Sequence, residues 1–289
     1  MREEKEVKEG KEVEEAKEVT EKGGSVAAFF DVDGTLLARP SLERRFFWML
    51  RYRRAIRRKN YLLWMVEAVR LAPRGIATMA QANKMYLRGV HGFCGEDGRS
   101  LLAYSLPSDT VSAAGERKKN ALRFFPEALE QVERHAREGH AIVLVSGTLE
   151  PLAREVALAL VVRLAVRGIK SSIGVCATLL EEAEEKWTGR IVGEAMFGEA
   201  KARAVRKLAA EQGLDLARCY AYGDSASDRW LLEAVGKPAA VNASDELARI
   251  ARKQGWPVLS WEKDKRNETQ RRGVRKGGLL MEERREFLG

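Results

Sequence analysis

The sequence predicts an α/β fold: a parallel sheet with helices between its strands, and a helical segment inserted after the first strand. Three observations carry this. Apolar runs of strand length occur at Ala27–Phe30, Ala141–Val145 and Cys219–Tyr222. Each run ends in a polar cluster, and helical patterns separate the runs. In open α/β sheets ligands bind outside the carboxyl ends of the strands, so the three clusters are expected to converge.

The first run leads into Asp31-Val32-Asp33-Gly34-Thr35. Residues two apart on a strand point to the same side, and two carboxylates held together resist joint ionisation unless a cation or a shared proton lies between them. Mg²⁺, a hard ion that takes one or two carboxylates plus phosphate oxygens, suits the pair. Gly34 permits a sharp turn and Thr35 supplies a hydroxyl to fix the loop. Taken alone, the motif has a plainer alternative, a strand closing in an Asx-rich turn.

Residues 42–124 read as helices. Leu42, Phe46, Met49, Leu50 and Ile56 fall on one face and Arg44, Arg51, Arg54 and Arg58 on the other. Arg53 and Arg57 intrude on the apolar side, either as stems packed along it or as guanidinium groups reaching a substrate anion. Tyr61–Ala72 is apolar almost all round, relieved only by Glu67 and Arg70, which predicts a buried helix; a dimer contact or a lipid-like substrate tail are the alternatives. The net charge of +9 is concentrated here, with 17 Lys and Arg against 6 Asp and Glu in residues 42–124. Such a surface attracts anions. No helix-turn-helix, zinc or aromatic RNA-binding signature accompanies it, so nucleic acid is not the expected partner.

The second cluster is Ser146-Gly147-Thr148, followed by a helix opening Glu150-Pro151. A hydroxyl and free N–H groups there suit an anion. The third is Gly223-Asp224-Ser225-Ala226-Ser227-Asp228, preceded by a helix that opens Gly198-Glu199-Ala200-Lys201 and runs to Gln212. Singly, Lys201 reads as a solvated lysine and Asp228 as a carboxylate favoured by a helix dipole.

Together and in this order, the four motifs resemble those of the haloacid dehalogenase superfamily, in the branch of phosphoserine-phosphatase-like hydrolases with a helical cap after the first motif. The resemblance implies a Rossmann-like core and a phosphomonoester hydrolase. Asp31 matches the nucleophile that becomes an aspartyl phosphate, and Asp33 the general acid and base. Ser146, Gly147 and Lys201 match the phosphate-holding groups. Asp31, the Asp33 backbone carbonyl and Asp224 match the Mg²⁺ ligands, with Asp228 and Ser227 supporting them. A carboxylate at Asp33 favours phosphatase over dehalogenase or ATPase chemistry. Two departures, Ser227 in place of the usual Asn and Thr148 in place of a second Gly, bear on substrate, which is expected to be a small or amphipathic organic phosphate. Phosphoserine itself is the conventional alternative.

The implied organisation is a charged tail at residues 1–24, a core of residues 25–41 and 125–262, a cap of residues 42–124, and a charged C-terminal tail at 263–289. The hexad at Lys5-Glu6-Val7, Lys11-Glu12-Val13 and Lys17-Glu18-Val19 places its valines on three sides of a helix, so it forms no coiled-coil seam. No apolar stretch approaches the ~20 residues a membrane span needs. The charged N-terminus and the three cysteines, Cys94, Cys176 and Cys219, without metal-type spacing, point to the cytoplasm. His91, His135 and His140 show no constellation. Peripheral membrane contact through the basic cap is compatible with this pattern, and oligomeric state is not legible. A rival of another class is a catalytically silent basic binding protein on the same scaffold; the joint presence of Asp31, Asp33, Lys201 and Asp224 argues against it.

Overall fold

A computed structural model describes residues 26–75, 79, 81–91 and 122–261. Both charged tails, Cys94 and residues 92–121 of the inserted segment lie outside the described residues. The strands are β1 (Ala27–Phe30), β2 (Ala141–Leu149), β3 (Ile173–Thr178), β4 (Leu180–Ala183), β5 (Lys186–Ile191), β6 (Tyr220–Gly223), β7 (Lys237–Val241) and β8 (Val258–Leu259). The helices are α1 (Leu42–Tyr52), α2 (Arg58–Leu71), α3 (Pro126–Arg137), α4 (Glu150–Val166), α5 (Glu199–Gln212), α6 (Arg229–Glu233) and α7 (Asp245–Gln254).

Six strands form one parallel sheet in the order β3-β2-β1-β6-β7-β8, and β4 and β5 form an antiparallel hairpin. β1 is apolar throughout because both its faces are covered, as in a parallel sheet flanked by helices. Its period of two divides the core: Ala28 and Phe30 pack with Ile142 and Leu144 on one side of the sheet, and Ala27 and Phe29 with Val143 and Val145 on the other. From β1 the chain builds β2 and β3 to one side, then returns to build β6, β7 and β8 on the other. The direction of winding therefore reverses at β1, and its carboxyl end, between those of β2 and β6, opens the crevice where such folds bind ligands.

The hairpin and the inserted segment were joined by no sequence signal, yet they pack together. The Gly89 N–H donates to the Trp187 carbonyl at 2.7 Å and the Trp187 N–H to the Val90 carbonyl at 2.9 Å. Trp187 is buried edge-on to Phe46 of α1, with ring centres 6.0 Å apart.

α1 buries Leu42, Phe46 and Leu50, as its spacing predicts. α2 departs from expectation. Instead of being buried all round, it covers only Asn60 and Leu71 fully and leaves Leu62, Met65, Val66 and Val69 exposed. Its inward side is held by polar bonds: Asn60 Nδ2 donates to the carbonyls of Tyr86 and Arg88, at 3.1 and 2.7 Å. No helix among the described residues is long and apolar enough to cross a membrane.

Candidate active site

The three strand ends meet as the sequence predicts. The Asp31 N–H donates to the Tyr222 carbonyl at 2.9 Å, which ties the end of β1 to β6. The following loop is closed by its own backbone: Gly34 N–H reaches the Leu37 carbonyl at 2.8 Å, and Leu36 and Leu37 N–H both reach Val32. Thr35 does not fix the loop as expected, since its buried Oγ1 has no hydrogen-bond partner. Gly34 is required on two counts. Its φ is +98°, and a Cβ there would lie 2.1 Å from Asp224 Oδ2.

Lys201, from the first turn of α5, is buried and donates through Nζ to Asp31 Oδ1 and Asp228 Oδ1, each at 2.6 Å. The other oxygen of Asp228 accepts from the N–H and hydroxyl of Ser225, at 3.0 and 2.7 Å, and Ser225 Oγ lies 2.7 Å from Ser227 Oγ. Asp228 is thus a structural anchor for Lys201 and its own loop. Asp224 Oδ2 accepts from Arg39 at 3.0 Å. Asp33 lines the same cavity without bonding to this group, its Oδ1 accepting the Leu42 N–H at 2.8 Å at the start of α1.

These environments sort the ionisations. Burial holds Asp31 well above the ordinary carboxylate range, with Lys201 opposing. Burial pushes Asp33 up to about 6 against the pull of the Leu42 N–H. Burial, then the Asp228 charge, push Asp224 up to about 6, with Arg39 opposing. For Asp228 burial also acts upward, but Lys201 and the Ser225 donors outweigh it and leave the group below its usual range. Burial acts to deprotonate Lys201, yet Asp228 and Asp31 outweigh it and hold the ammonium above its usual value.

The groups line a cavity of about 530 Å³. Of the residues singled out from sequence, Asp31, Asp33, Ser146, Gly147, Lys201, Asp224 and Ser227 face it, with Asp228 beneath Lys201. Thr148 also lines it, and its buried Oγ1 has no partner. Arg53 and Arg57 do not line it. They are exposed near the far end of α1, and at 1.5 Å per residue Arg53 lies roughly 16 Å beyond Leu42. Arg39 and Arg44 stand on the wall instead, with Gln81 and Phe197. Sequence reasoning missed these four; the only available signal was that Arg39 and Arg44 flank the turn from the first motif into α1. Two aromatic residues of the inserted segment pack away from the cavity: Phe46 on Trp187 and Phe47 on Tyr86.

Asp31, Asp224 and Asp228 offer oxygens that all lie within 4.8 Å of one another. Three buried carboxylates with two bonded cations, Lys201 and Arg39, leave room in the charge balance for a hard cation. The all-oxygen donor set and the space that Gly34 leaves beside Asp224 fit Mg²⁺.

Outside the cavity two of the three histidines, His135 and His140, do form a group, contrary to the sequence reading. α3 ends in a Schellman turn in which Gly139 N–H bonds the Ala136 carbonyl and His140 N–H bonds the His135 carbonyl. This folds His140 back, so that its Nδ1 lies 2.9 Å from His135 Nδ1 and 3.3 Å from Glu138.

Comparison with known proteins bears on this geometry. A family model for haloacid dehalogenase-like hydrolases matches residues 28–233. The chain is 32% identical over 245 residues to an "inhibition of morphological differentiation protein" of Streptomyces azureus, covering 81% of this chain and 78% of that one. It is 31% identical over 244 residues to a "probable phosphatase" of Mycobacterium tuberculosis, covering 81% and 75%. A solved structure of a Bordetella pertussis Tohama I protein of unknown function superposes with a TM-score of 0.59 at 27% identity, over 82% of this chain and 98% of that one.

Proposed function

The chain belongs to the haloacid dehalogenase-like hydrolases, and from that premise we propose that it is a Mg²⁺-dependent phosphomonoester phosphatase acting through an aspartyl phosphate. The observation that carries the reading is the convergence of Asp31, Asp33, Lys201 and Asp224 on one cavity with Ser146. In this reading residues 42–124 are the cap over a core of residues 25–41 and 125–262.

Asp31 attacks phosphorus in line with the ester oxygen. The bond from phosphorus to that oxygen breaks as Asp33 donates its proton to it, giving the free alcohol and a phosphorylated Asp31. Asp33, now ionised, takes a proton from water as the water oxygen attacks phosphorus. The bond to Asp31 breaks and inorganic phosphate leaves. A carboxyl near 6 suits both roles close to neutral pH. Lys201 orients the nucleophile and balances charge, while Ser146, which lines the same cavity, is assigned to hold a phosphoryl oxygen. Mg²⁺, held by Asp31, Asp224 and the Asp33 carbonyl, would neutralise charge on the transferring group. Positioning and charge neutralisation carry most of the barrier reduction in this chemistry.

The substrate is an organic phosphate whose second end meets Arg39, Arg44 and Gln81. A zwitterion of the phosphoserine type is a second reading, favoured by Glu43 beside Arg44 on the same wall, although Glu43 Oε1 already accepts from Lys84 and Tyr86. A panel of phosphate esters assayed for phosphate release with and without Mg²⁺ tests both. The reading predicts turnover that requires Mg²⁺ and is abolished by Asp31→Asn. Turnover unaffected by chelation, or surviving in Asp31→Asn, would overturn it.

A further inference from the structure

We propose that the outward face of α2 docks on an anionic lipid bilayer. Successive helical residues turn by 100°, so Leu62, Met65, Val66 and Val69 share one face, opposite the buried Asn60 and Leu71. The four are 66%, 60%, 67% and 76% exposed. Their exposure does not come from a loosely held helix. Asn60 fixes the inward side to the Tyr86 and Arg88 carbonyls, and Asn83 Nδ2 holds the Trp64 carbonyl at 2.7 Å.

Charge identifies the occupant. Arg58 and Lys59 border the apolar stripe at one end and Arg70 at the other. Residues 42–75 carry ten Lys and Arg against two acids. Both acids are engaged, Glu43 by Lys84 and Tyr86, and Glu67 by Arg70 at 3.5 Å. A second copy of this face would bring another Arg58 and Lys59 and no carboxylate beyond Glu67, which Arg70 already takes, because an isologous contact is self-complementary. An anionic bilayer supplies both missing parts, acyl chains for the stripe and phosphate charge for its rim. α2 stands close to the candidate site: Glu67 and Leu71 of its inward side line a cavity that shares Gln81 and Phe197 with the catalytic one.

Cosedimentation of the full chain with phosphatidylcholine vesicles, with and without phosphatidylglycerol, tests this. Binding is expected only with phosphatidylglycerol and should weaken at high salt. Val66→Asp with Val69→Asp, and separately Arg58→Glu with Lys59→Glu, should each lower partitioning at least about tenfold. Phosphate release from a soluble ester should be unchanged in both, since these residues lie outside the catalytic cavity. Equal binding to neutral vesicles, no binding at low salt, or wild-type binding by both variants would overturn the proposal. So would a dimer, seen by light scattering, that dissociates in Val66→Asp with Val69→Asp.

Discussion

The Asp33 carboxylate accepts the backbone N–H of Leu42 at 2.8 Å, so the candidate general acid also anchors the first turn of α1. The two roles separate by substitution. In Asp33→Asn the amide oxygen still accepts from Leu42, while the proton donor is lost. Phosphate release should fall by about 10² to 10⁴-fold with the melting temperature nearly unchanged. Asp33→Ala should lose the same activity and in addition leave a buried N–H unpaired, at about 1 to 3 kcal/mol in chemical unfolding. Equal stability of the two variants would show that the contact with Leu42 does not hold the helix.

Lys201 sits between Asp31 and Asp228 with 4% of its side chain exposed. Removing one partner of such a buried group leaves uncompensated charge. Lys201→Met should therefore lower stability by about 3 to 5 kcal/mol and abolish turnover. Urea unfolding followed by circular dichroism checks the first, and a variant as stable as the parent would contradict it.

The parts legible in sequence were those where one local rule acts on a few residues. Ala27–Phe30 reads as a buried parallel strand because both faces demand apolar side chains, and the carboxylates beyond it announce a site because nothing else repays their burial. The hairpin contact of Trp187 with Phe46, and the Arg39 contact with Asp224, span 141 and 185 positions and depend on how separate elements dock, which no local periodicity encodes. α2 misled for a related reason. Its apolar composition is real, but burial follows from what packs against a face, and Leu62 and Val66 have no such neighbour among the described residues. The histidine group was closer to being readable, since Gly139 after a helical run is a stop signal that returns the next residue towards the last turn.

Gly34→Ala separates site geometry from backbone strain. The added Cβ would meet Asp224 Oδ2 at 2.1 Å, whereas at Gly213, also left-handed at φ 64°, nothing lies within 4 Å. Both Ala variants should lose about 1 to 2 kcal/mol from the left-handed conformation. Only Gly34→Ala should also lose turnover and need more Mg²⁺ for half-maximal rate. Matching Mg²⁺ titrations for the two variants would show that Asp224 does not depend on this close approach.

His135 gives the fold an acid-sensitive element. Burial first, then the charges of Arg134, His140 and Lys237, push it down to about 3. Unfolded, it takes up a proton near 6.5. Its contribution is thus fully present above that value and is lost as pH falls towards 3, by up to about 1.4 kcal/mol per pH unit, because over this range the unfolded chain binds the extra proton. Comparison of the parent with His135→Gln cancels the opposing effects of the raised carboxyls. Urea unfolding at pH 7.5 and 5 should show a smaller loss in the variant, and parallel losses would assign the acid sensitivity elsewhere.

Substrate recognition should follow the arginines on the cavity wall. Arg44 lines the cavity at the first turn of α1, while Arg53 and Arg57 lie beyond its far end. A charge-assisted contact is worth about 1.5 to 3 kcal/mol, which corresponds to roughly a 10- to 100-fold rise in KM for Arg44→Ala with an anionic ester. The rise should shrink for an ester with no second charge, because only a second anionic group needs the guanidinium. Arg53→Ala with Arg57→Ala should leave KM within about threefold for both esters, since neither residue lines the cavity. A large rise in that double variant would mean that the basic turn between α1 and α2 reaches the substrate after all, and that the segment moves between this arrangement and one closed over the site.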